Sequence, residues 1–343
     1  MQKPISSQSR QSRRLQPFCK SQPDDLSSGE NRYLFGPVHS RRLGNSLGVD
    51  LVPAKTCTFN CIFCQLGRTT QQTLERKEYV PAAAVMAELE AFLENGGEAD
   101  YITFSGSGEP TLHSKIGEMI AQTKKMTKIP VAVLTCGALL YDPQVRRELT
   151  PADVVLPSLS TVSPETFHAL NRPHGRLHLE EIIVGMKNFR QEYTGKIWLE
   201  VMLVKGLNDG MQEMARLREV IAEIKPDKIH LNTVVRPPVE TDVKPLAEAE
   251  LRQLQTVLGA NVEIIAERPE MPAPSVGHLV VHDLLQLLAR HPATLSEISE
   301  SLNCKQEIIS LVLNALMESG TVEEREHQGK KFYAAVFSHE RKF

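Results

Sequence analysis

The sequence of 343 residues lacks any long uncharged apolar run, although about 20 such residues are needed to span a membrane. It has no strong charge of one sign, because 39 Lys and Arg face 42 Asp and Glu, and this disfavours a protein held on nucleic acid by bulk electrostatics. Six cysteines are too few for a disulfide scaffold in a chain of this length. The first residues lack the apolar segment of a secretory signal. We therefore expect a cytoplasmic, reducing setting without membrane association.

What is present predicts two folded domains, since 41% of the residues are apolar and domains of roughly 100–200 residues are typical. Residues 1–30 are rich in Ser, Gln and Pro and predict a disordered tail. Residues 31–267 alternate between apolar runs and helical patterns and form the predicted core domain. Residues 268–276 carry three prolines and predict a linker, followed by a helical domain over 277–343.

The core domain reads as an α/β fold, because short apolar runs alternate with amphipathic helical stretches. Six strands are fewer than the eight of a complete barrel, so the pattern predicts a partial (βα)6 barrel of the TIM type. The predicted strands are Ser46–Val52, Tyr101–Phe104, Val131–Leu134, Val154–Leu156, Ile197–Val204 and Lys228–Leu231.

Three helices followed by a hairpin predict a small winged helix-turn-helix domain at the C-terminus. Thr294 and Glu297 form a capping box at the start of the second helix. The segment 275–343 has seven Lys and Arg against nine Asp and Glu, which is a poor footprint for phosphate binding. Substrate presentation, protein docking or dimerisation fits it at least as well as DNA contact. The expected core residues are Leu284, Leu287, Leu288, Ile298, Leu302, Ile308, Leu311 and Leu316.

The main chemical signal is a C-x3-C-x2-C spacing formed by Cys57, Cys61 and Cys64. Three thiolates on one short loop can each bind one iron of a [4Fe–4S] cluster, which is usually saturated by four cysteines. One iron would then stay open to another ligand. A structural zinc site needs four protein ligands, and a fourth Cys or His at suitable spacing is not found here. The spacing therefore favours a labile, reactive cluster.

This triad, with the aromatic Phe63 before its last cysteine, resembles the radical S-adenosylmethionine (SAM) superfamily. The resemblance implies that the amino and carboxylate groups of SAM chelate the open iron and that Phe63 packs near the adenine. A glycine-rich segment directly after the second strand is similar to the GGEP-type motif of that family. The resemblance implies that four residues there hold the methionyl amino group of SAM: Gly106, Ser107, Gly108 and Glu109.

Two later strands carry weaker candidates for SAM contacts. Ser158 lies at the end of the fourth strand, where related enzymes place polar groups near the SAM ribose or carboxylate. Glu200 lies inside the fifth strand, and a carboxylate in an apolar run must face something polar. It could accept hydrogen bonds from ribose hydroxyls, or it could pair with an Arg or Lys across the barrel.

A closer resemblance covers about residues 31–240 and rests on Tyr33–Gly48, the QLGRTT run after Cys64 and Asn171–His174. These segments resemble a group of Fe–S oxidoreductases related to wyosine-base synthesis enzymes. They also carry cationic or polar loop residues that an anionic substrate, the SAM carboxylate or ordinary ion pairing would explain. This set comprises Arg41, Arg42, Arg68, Arg172 and His174.

Two departures from that group limit the comparison. Wyosine synthesis enzymes carry additional N-terminal cysteines for a second cluster, whereas only Cys19 precedes the triad here, so a second cluster is not expected. Cys136 stands where the group usually has Asn. Its thiol could donate a hydrogen atom to a substrate radical, or it could be a small buried hydrophobe.

The resemblance predicts an enzyme that cleaves SAM reductively with a [4Fe–4S] cluster and abstracts hydrogen from an unknown substrate. It implies a reducing partner such as flavodoxin or ferredoxin. One alternative is an Fe–S sensor that regulates transcription through the winged helix, and another is a tRNA-base modifying enzyme. The sequence designates no catalytic residue and leaves the substrate open.

Overall fold

The computed structural model describes residues 33–259, 261–265 and 281–336, without the side chain of residue 282. The tail predicted over 1–30 and the linker predicted over 268–276 lie outside the described residues. The domain boundaries proposed from the sequence stay predictions.

One curved, mostly parallel sheet of eight strands forms the core domain in the order β1-β2-β5-β6-β7-β8-β9-β10. β1 and β2 pair antiparallel as a hairpin, and every later neighbour pairs parallel. The strands are β1 Leu34–Ser40, β2 Gly44–Val49, β5 Tyr101–Phe104, β6 Val131–Thr135, β7 Val154–Pro157, β8 Lys196–Leu203, β9 Lys228–Thr233 and β10 Val262–Ile264. A separate two-stranded ribbon is formed by β3 Thr56–Cys57 and β4 Gln71–Gln72.

Helices connect the parallel strands and cover one face of the sheet with apolar residues. α5 illustrates the cause, because Leu179, Ile182, Met186 and Phe189 recur at helical spacing and are all buried. The helices of the core domain are α1 Ala82–Glu94, α2 Ile116–Met126, α3 Pro143–Leu149, α4 Pro164–Asn171, α5 Leu179–Glu192, α6 Met211–Ile224 and α7 Glu248–Leu258. Two 3₁₀ turns follow strand ends at Pro110–Leu112 and Ala138–Tyr141.

The sheet curls enough to bring its two edges together at one end. Arg41, in the turn between β1 and β2, donates to the carbonyl of Ile265 just after β10 at 2.6 Å. Trp198 and Leu156 belong to a second apolar cluster, on strand positions that alternate with those facing the helices. The α/β fold with a mostly parallel sheet is confirmed, and the six predicted strands are present, although the sequence reading missed β1 and β10.

The C-terminal domain has the predicted order of three helices and a hairpin. Its elements are α8 Val281–Arg290, α9 Leu295–Leu302, α10 Gln306–Glu318, β11 Val322–His327 and β12 Lys330–Ala335. The predicted capping box is present, since the hydroxyl of Thr294 accepts from the Glu297 amide and Glu297 accepts from the Thr294 amide. Within the described residues, we find no helix that combines the length and the apolarity of a membrane span.

The prediction of core residues in this domain is wrong at two positions. Ile308 and Leu311 are 41% and 72% exposed, because α10 turns Ile309 and Leu313 toward the core instead. Ile309 and Leu313 are four residues apart and so share one face of the helix. The exposed pair lies on the face that a winged helix often presents to a partner.

Candidate cofactor site

The cysteine loop follows β2 and is held in place by the segment that ends α4. The amide of Asn60 donates to the carbonyl of Asn171 at 3.0 Å, and the amide of Ile62 donates to the carbonyl of Leu170 at 2.9 Å. The amide of His174 reaches the carbonyl of Thr58 at 2.9 Å. The backbone of the Asn171–His174 segment therefore helps to hold the loop in place. The loop lies beyond the carboxyl ends of the parallel strands, where barrel enzymes place their active sites.

The three thiols of the triad are partly buried and lie beside hydrogen-bond donors. The ammonium of Lys55 donates to Cys64 Sγ at 3.1 Å, and the side-chain amide of Asn171 lies 3.4 Å from Cys61 Sγ. A hydrogen bond with the Cys136 side chain is the main cause that lowers the pKa of Cys57, and it outweighs burial. Burial instead raises the pKa of Cys61 and of Cys136.

This environment suits an Fe–S cluster. In a cubane cluster each thiolate binds a different iron, so three sulfurs on one loop do not have to meet at one point. Donors beside the sulfurs, such as Lys55 and Asn171, are also the groups that tune an Fe–S cluster.

The glycine-rich segment lies directly against the cysteine loop. The amide of Lys55 donates to the carbonyl of Ser107 at 2.8 Å, and the amide of Glu109 donates to the carbonyl of Thr56 at 3.0 Å. A Cβ atom at Gly108 would lie 1.9 Å from the Thr56 oxygen, so only glycine permits this approach. The structure therefore brings together the two motifs that the sequence analysis singled out.

The carboxylate of Glu109 is buried and collects donors from its own chain. Oε1 accepts from the amide and hydroxyl of Thr111 at 3.1 and 2.5 Å and from the Thr135 hydroxyl at 2.6 Å. Oε2 accepts from the Cys136 amide at 2.7 Å. These four bonds and a side-chain hydrogen bond from Cys136 occupy the acceptor sites of the carboxylate, so its negative charge, rather than a free acceptor position, is what it offers to the predicted ammonium ligand. The first role of Glu109 in this structure is to lock the ends of β5 and β6 together.

Ser158 and Glu200 are neighbours across β7 and β8, with the Ser158 hydroxyl 3.4 Å from Glu200 Oε2. Arg42 lies 3.2 Å from the same carboxylate, and Asn232 donates to Oε1 at 2.9 Å. Burial opposes the ionisation of Glu200, but Arg42 and Asn232 outweigh it and hold its pKa below the usual range. The structure thus contains the ion pair that was one of the two readings of Glu200.

The remaining sequence candidates surround the loop without converging on one point. Phe63 is partly buried and packs against an apolar cluster that includes Val204 and Val234. Arg68 and Arg172 share the carboxylate of Glu240, at 3.0 and 2.5 Å. These two arginines therefore support the ion-pairing explanation rather than a common anion site.

Sequence reasoning missed Asp50 and Lys55, which hold the two motifs in place. Asp50 accepts from the amide and hydroxyl of Ser107 at 3.1 and 2.5 Å. A usable signal was present, because Asp50 is a carboxylate inside the apolar run SLGVDLV. Lys55 has a positive φ of 63° and is 7% exposed. Neither its backbone conformation nor its burial could be predicted from the neighbouring residues.

A cavity of about 850 Å³ lies away from the triad, between β9, α7 and the C-terminal domain. Its wall mixes Arg236, Lys330 and Lys331 with Glu248 and Glu300 and contains no cysteine. The wall also contains His327, but its mixed charges do not point to one class of ligand. We therefore place the candidate cofactor site at the cysteine loop, which is bonded directly to the glycine-rich segment.

Two protein-family models match this chain, one in the core domain and one in the C-terminal domain. The model of the radical SAM superfamily matches residues 51–218, and the model of the sugar-specific transcriptional regulator TrmB matches residues 283–337. The first range includes the triad and the glycine-rich segment, and the second includes the winged helix.

Two curated relatives and one solved structure illustrate the similarity. A protein of Brachyspira hyodysenteriae described as GTPase Obg is 35% identical, covering 93% of this chain but only 47% of its own length, so the chain spans about half of it. A UPF0026 protein of Methanocaldococcus jannaschii is 32% identical over 87% of this chain and 94% of its own. The structure of TYW1 with a lysine-pyruvate adduct bound is 18% identical, with a TM-score of 0.48 over 66% of this chain and 76% of that one.

Proposed function

Because this chain belongs to the UPF0026 family and to the radical SAM superfamily, we propose that it cleaves SAM reductively and abstracts hydrogen from a substrate. The expectation of a radical SAM enzyme with a [4Fe–4S] cluster and SAM is confirmed at the level of the family. The residues that hold these cofactors, and the substrate, are part of the proposal.

The observation that carries the proposal is the direct bonding of the cysteine loop to the glycine-rich segment. Lys55 and Ser107, together with Thr56 and Glu109, join the two through backbone hydrogen bonds. A ligand bound to the open iron of a cluster on this loop would therefore lie next to the glycine-rich segment. We assign cluster binding to Cys57, Cys61 and Cys64, and SAM binding to Phe63, Gly106, Ser107, Gly108, Glu109, Ser158 and Glu200.

When bound, the cluster supplies an electron that splits SAM into methionine and a 5′-deoxyadenosyl radical able to remove a hydrogen atom from a C–H bond. The chain itself binds, orients and shields these groups. Lys55 and Asn171 place positive or polar donors beside the sulfurs. Glu109 fixes the strand ends under the site, and its buried negative charge would attract an ammonium group. Arg42 holds Glu200 ionised, so that Glu200 can accept bonds from hydroxyl groups.

The test is anaerobic reconstitution of the full chain with iron and sulfide, comparing wild type with Cys61→Ala. We expect about four irons per wild-type chain and formation of 5′-deoxyadenosine from SAM with a strong reductant. Cys61→Ala should lose most of both. Cys304→Ala is the matched control, because Cys304 is buried in the C-terminal domain and belongs to a separate apolar cluster. Zinc in place of iron, or equal iron in all three proteins, would overturn the proposal.

The alternative of a DNA-binding Fe–S sensor finds little support in the C-terminal domain. The exposed face of α10 carries Glu307, Ile308 and Leu311 rather than a row of cations. Lys331 on the wing is already paired with Glu324 at 3.0 Å. Contact with a protein or with substrate suits this surface better, and nucleic-acid modification remains a prediction that the same preparations can test by co-purified RNA.

The proposed chemistry also requires an electron donor of low potential, such as a flavodoxin or ferredoxin. It further suits a reducing compartment, and we propose the cytoplasm. The five cysteines within the described residues are all unpaired thiols, as that setting requires.

A further inference from the structure

A buried carboxylate, Asp50, ties the glycine-rich segment to the core domain. Asp50 follows β2 and is 5% exposed. Its Oδ1 accepts from the Ser107 amide at 3.1 Å, and its Oδ2 accepts from the Ser107 hydroxyl at 2.5 Å. A Cβ atom at Gly106, whose φ is +124°, would lie 2.5 Å from Asp50 Cγ. The segment is therefore pressed against this carboxylate and takes its position from it.

The counter-charge of Asp50 comes from the other domain. Arg290, the last residue of α8, donates from Nε to Asp50 Oδ2 at 2.8 Å. Its guanidinium also lies over the ring of Phe35, 5.3 Å from the centroid. The two charged side chains are only 11% and 6% exposed. Solvent screens such a pair weakly, and removal of one partner leaves the other charge buried without compensation.

We propose that Arg290 is a positioning residue for the segment Gly106–Glu109, acting through Asp50, and that docking of the winged helix thereby sets the affinity for SAM. The inference rests on the proposed function, since it takes this segment to be part of the SAM site. Without Arg290, the buried Asp50 carboxylate gains by turning toward water and then releases Ser107. Coupling of this kind is reciprocal, so bound SAM also strengthens the docking of the C-terminal domain.

Docking itself does not depend on Arg290 alone. Arg236 donates from Nε to the carbonyl of Pro292 at 3.0 Å, and His327 Nε2 lies 2.7 Å from the carbonyl of Val234. Both contacts join the domains without touching Asp50. Loss of Arg290 should therefore alter the glycine-rich segment more than it alters the attachment of the domain.

The first measurement is the dissociation constant for SAM of the reconstituted full chain, by equilibrium dialysis. Arg290→Gln should weaken SAM binding about tenfold, the effect of partly losing one charge-assisted hydrogen bond, with the iron content unchanged. Arg290→Lys keeps the charge but loses the planar guanidinium, and its affinity for SAM should fall between those of Arg290→Gln and wild type. Asp50→Ala removes the acceptor and so breaks the link, and adding Arg290→Gln to it should weaken binding no further. Arg325→Gln, in the same domain, is the matched control and should bind SAM like wild type.

The second measurement needs neither cluster nor SAM. Amide hydrogen exchange of Ser107 in the iron-free protein should be roughly tenfold faster in Arg290→Gln than in wild type or Arg325→Gln. If wild type binds no SAM, the proposed function fails while this exchange still reports the link. The inference is overturned if Ser107 exchanges at the wild-type rate in Arg290→Gln, or if exchange rises but SAM affinity does not fall. Should Arg290→Gln fold poorly, a smaller change of the same sign in Arg290→Lys decides the matter.

Discussion

At the residue scale, Gly108 is fixed by its distance to the backbone of the cysteine loop. An added Cβ would meet the Thr56 oxygen at 1.9 Å, so Gly108→Ala must push the two loops apart. We expect the iron-free protein to lose about 2 kcal/mol of stability, as overpacking costs 1–3 kcal/mol. Urea unfolding followed by circular dichroism measures it. Gly175→Ala is the control, because its Cβ would meet nothing within 4 Å, and equal losses in both variants would contradict the explanation.

Glu200 provides a prediction on pH dependence at the same scale. Its folded-state pKa is lowered by Arg42 and Asn232 against the effect of burial. A lowered pKa gives stability that is present above the unfolded value and is lost as the pH falls through the folded one. We therefore expect Glu200→Gln to cost about 2 kcal/mol at pH 7, because the partly buried Arg42 is left without this partner. The difference from wild type should shrink as the pH falls below the ordinary glutamate pKa of 4.5.

Unfolding curves of wild type and Glu200→Gln between pH 3 and pH 8 test this dependence. Glu323→Gln is the control, since its ion pair with Arg325 is partly exposed and such pairs contribute only about 0–1 kcal/mol. A difference between Glu200→Gln and wild type that stays constant with pH would show that the carboxylate charge does not stabilise the fold.

Single residues also show what the sequence could and could not reveal about the site. The spacing of Cys57, Cys61 and Cys64 is local, so their common loop could be predicted without a structure. The support from Asp50 and Asn171 could not, because their contacts with Ser107 and Cys61 span 57 and 110 residues of chain. These contacts form only because the fold brings the ends of different strands together. A local sequence pattern does not show which distant residues become neighbours in this way.

At the element scale, α10 separates buried from exposed positions within three residues. Leu313 is 1% exposed in the core of the C-terminal domain, whereas Leu311 is 72% exposed. Leu313→Ala should cost about 2–4 kcal/mol through lost burial and a cavity, and Leu311→Ala should stay within about 0.5 kcal/mol of wild type. The two variants are each other's control in thermal unfolding. A large loss in Leu311→Ala would mean that its face is covered in solution.

Helices and strands differ in how well they could be predicted from the sequence. α5 and α6 each carry apolar residues at helical spacing over 14 residues, which is a pattern long enough to predict a helix from sequence. β1 was missed, since its sequence LFGPVHS contains Gly36 and Pro37 and its burial does not alternate. β10 has three residues and pairs only with β9, so its signal is too short to read.

At the scale of the whole molecule, the two domains act on one another through charged groups that neither sequence segment reveals alone. Arg290 reaches Asp50 under the cofactor site, and Arg236 reaches the start of α9 through Glu297 at 3.4 Å. Both arginines are largely buried. The C-terminal domain keeps its own apolar core and is held against the core domain by these buried charged contacts, an interface that the sequence did not predict.

This arrangement predicts that the iron-free protein unfolds as one unit. Trp198 is the single tryptophan and lies in the core domain, so its fluorescence reports that domain, while circular dichroism reports both. The two thermal transitions should coincide in wild type. Arg236→Ala removes buried hydrogen bonds to Pro292 and Glu297, at a cost of about 2 kcal/mol, and should move the circular dichroism transition below that of fluorescence. Arg325→Ala should leave both unchanged. Separate transitions already in wild type would show that the interface does not couple the domains.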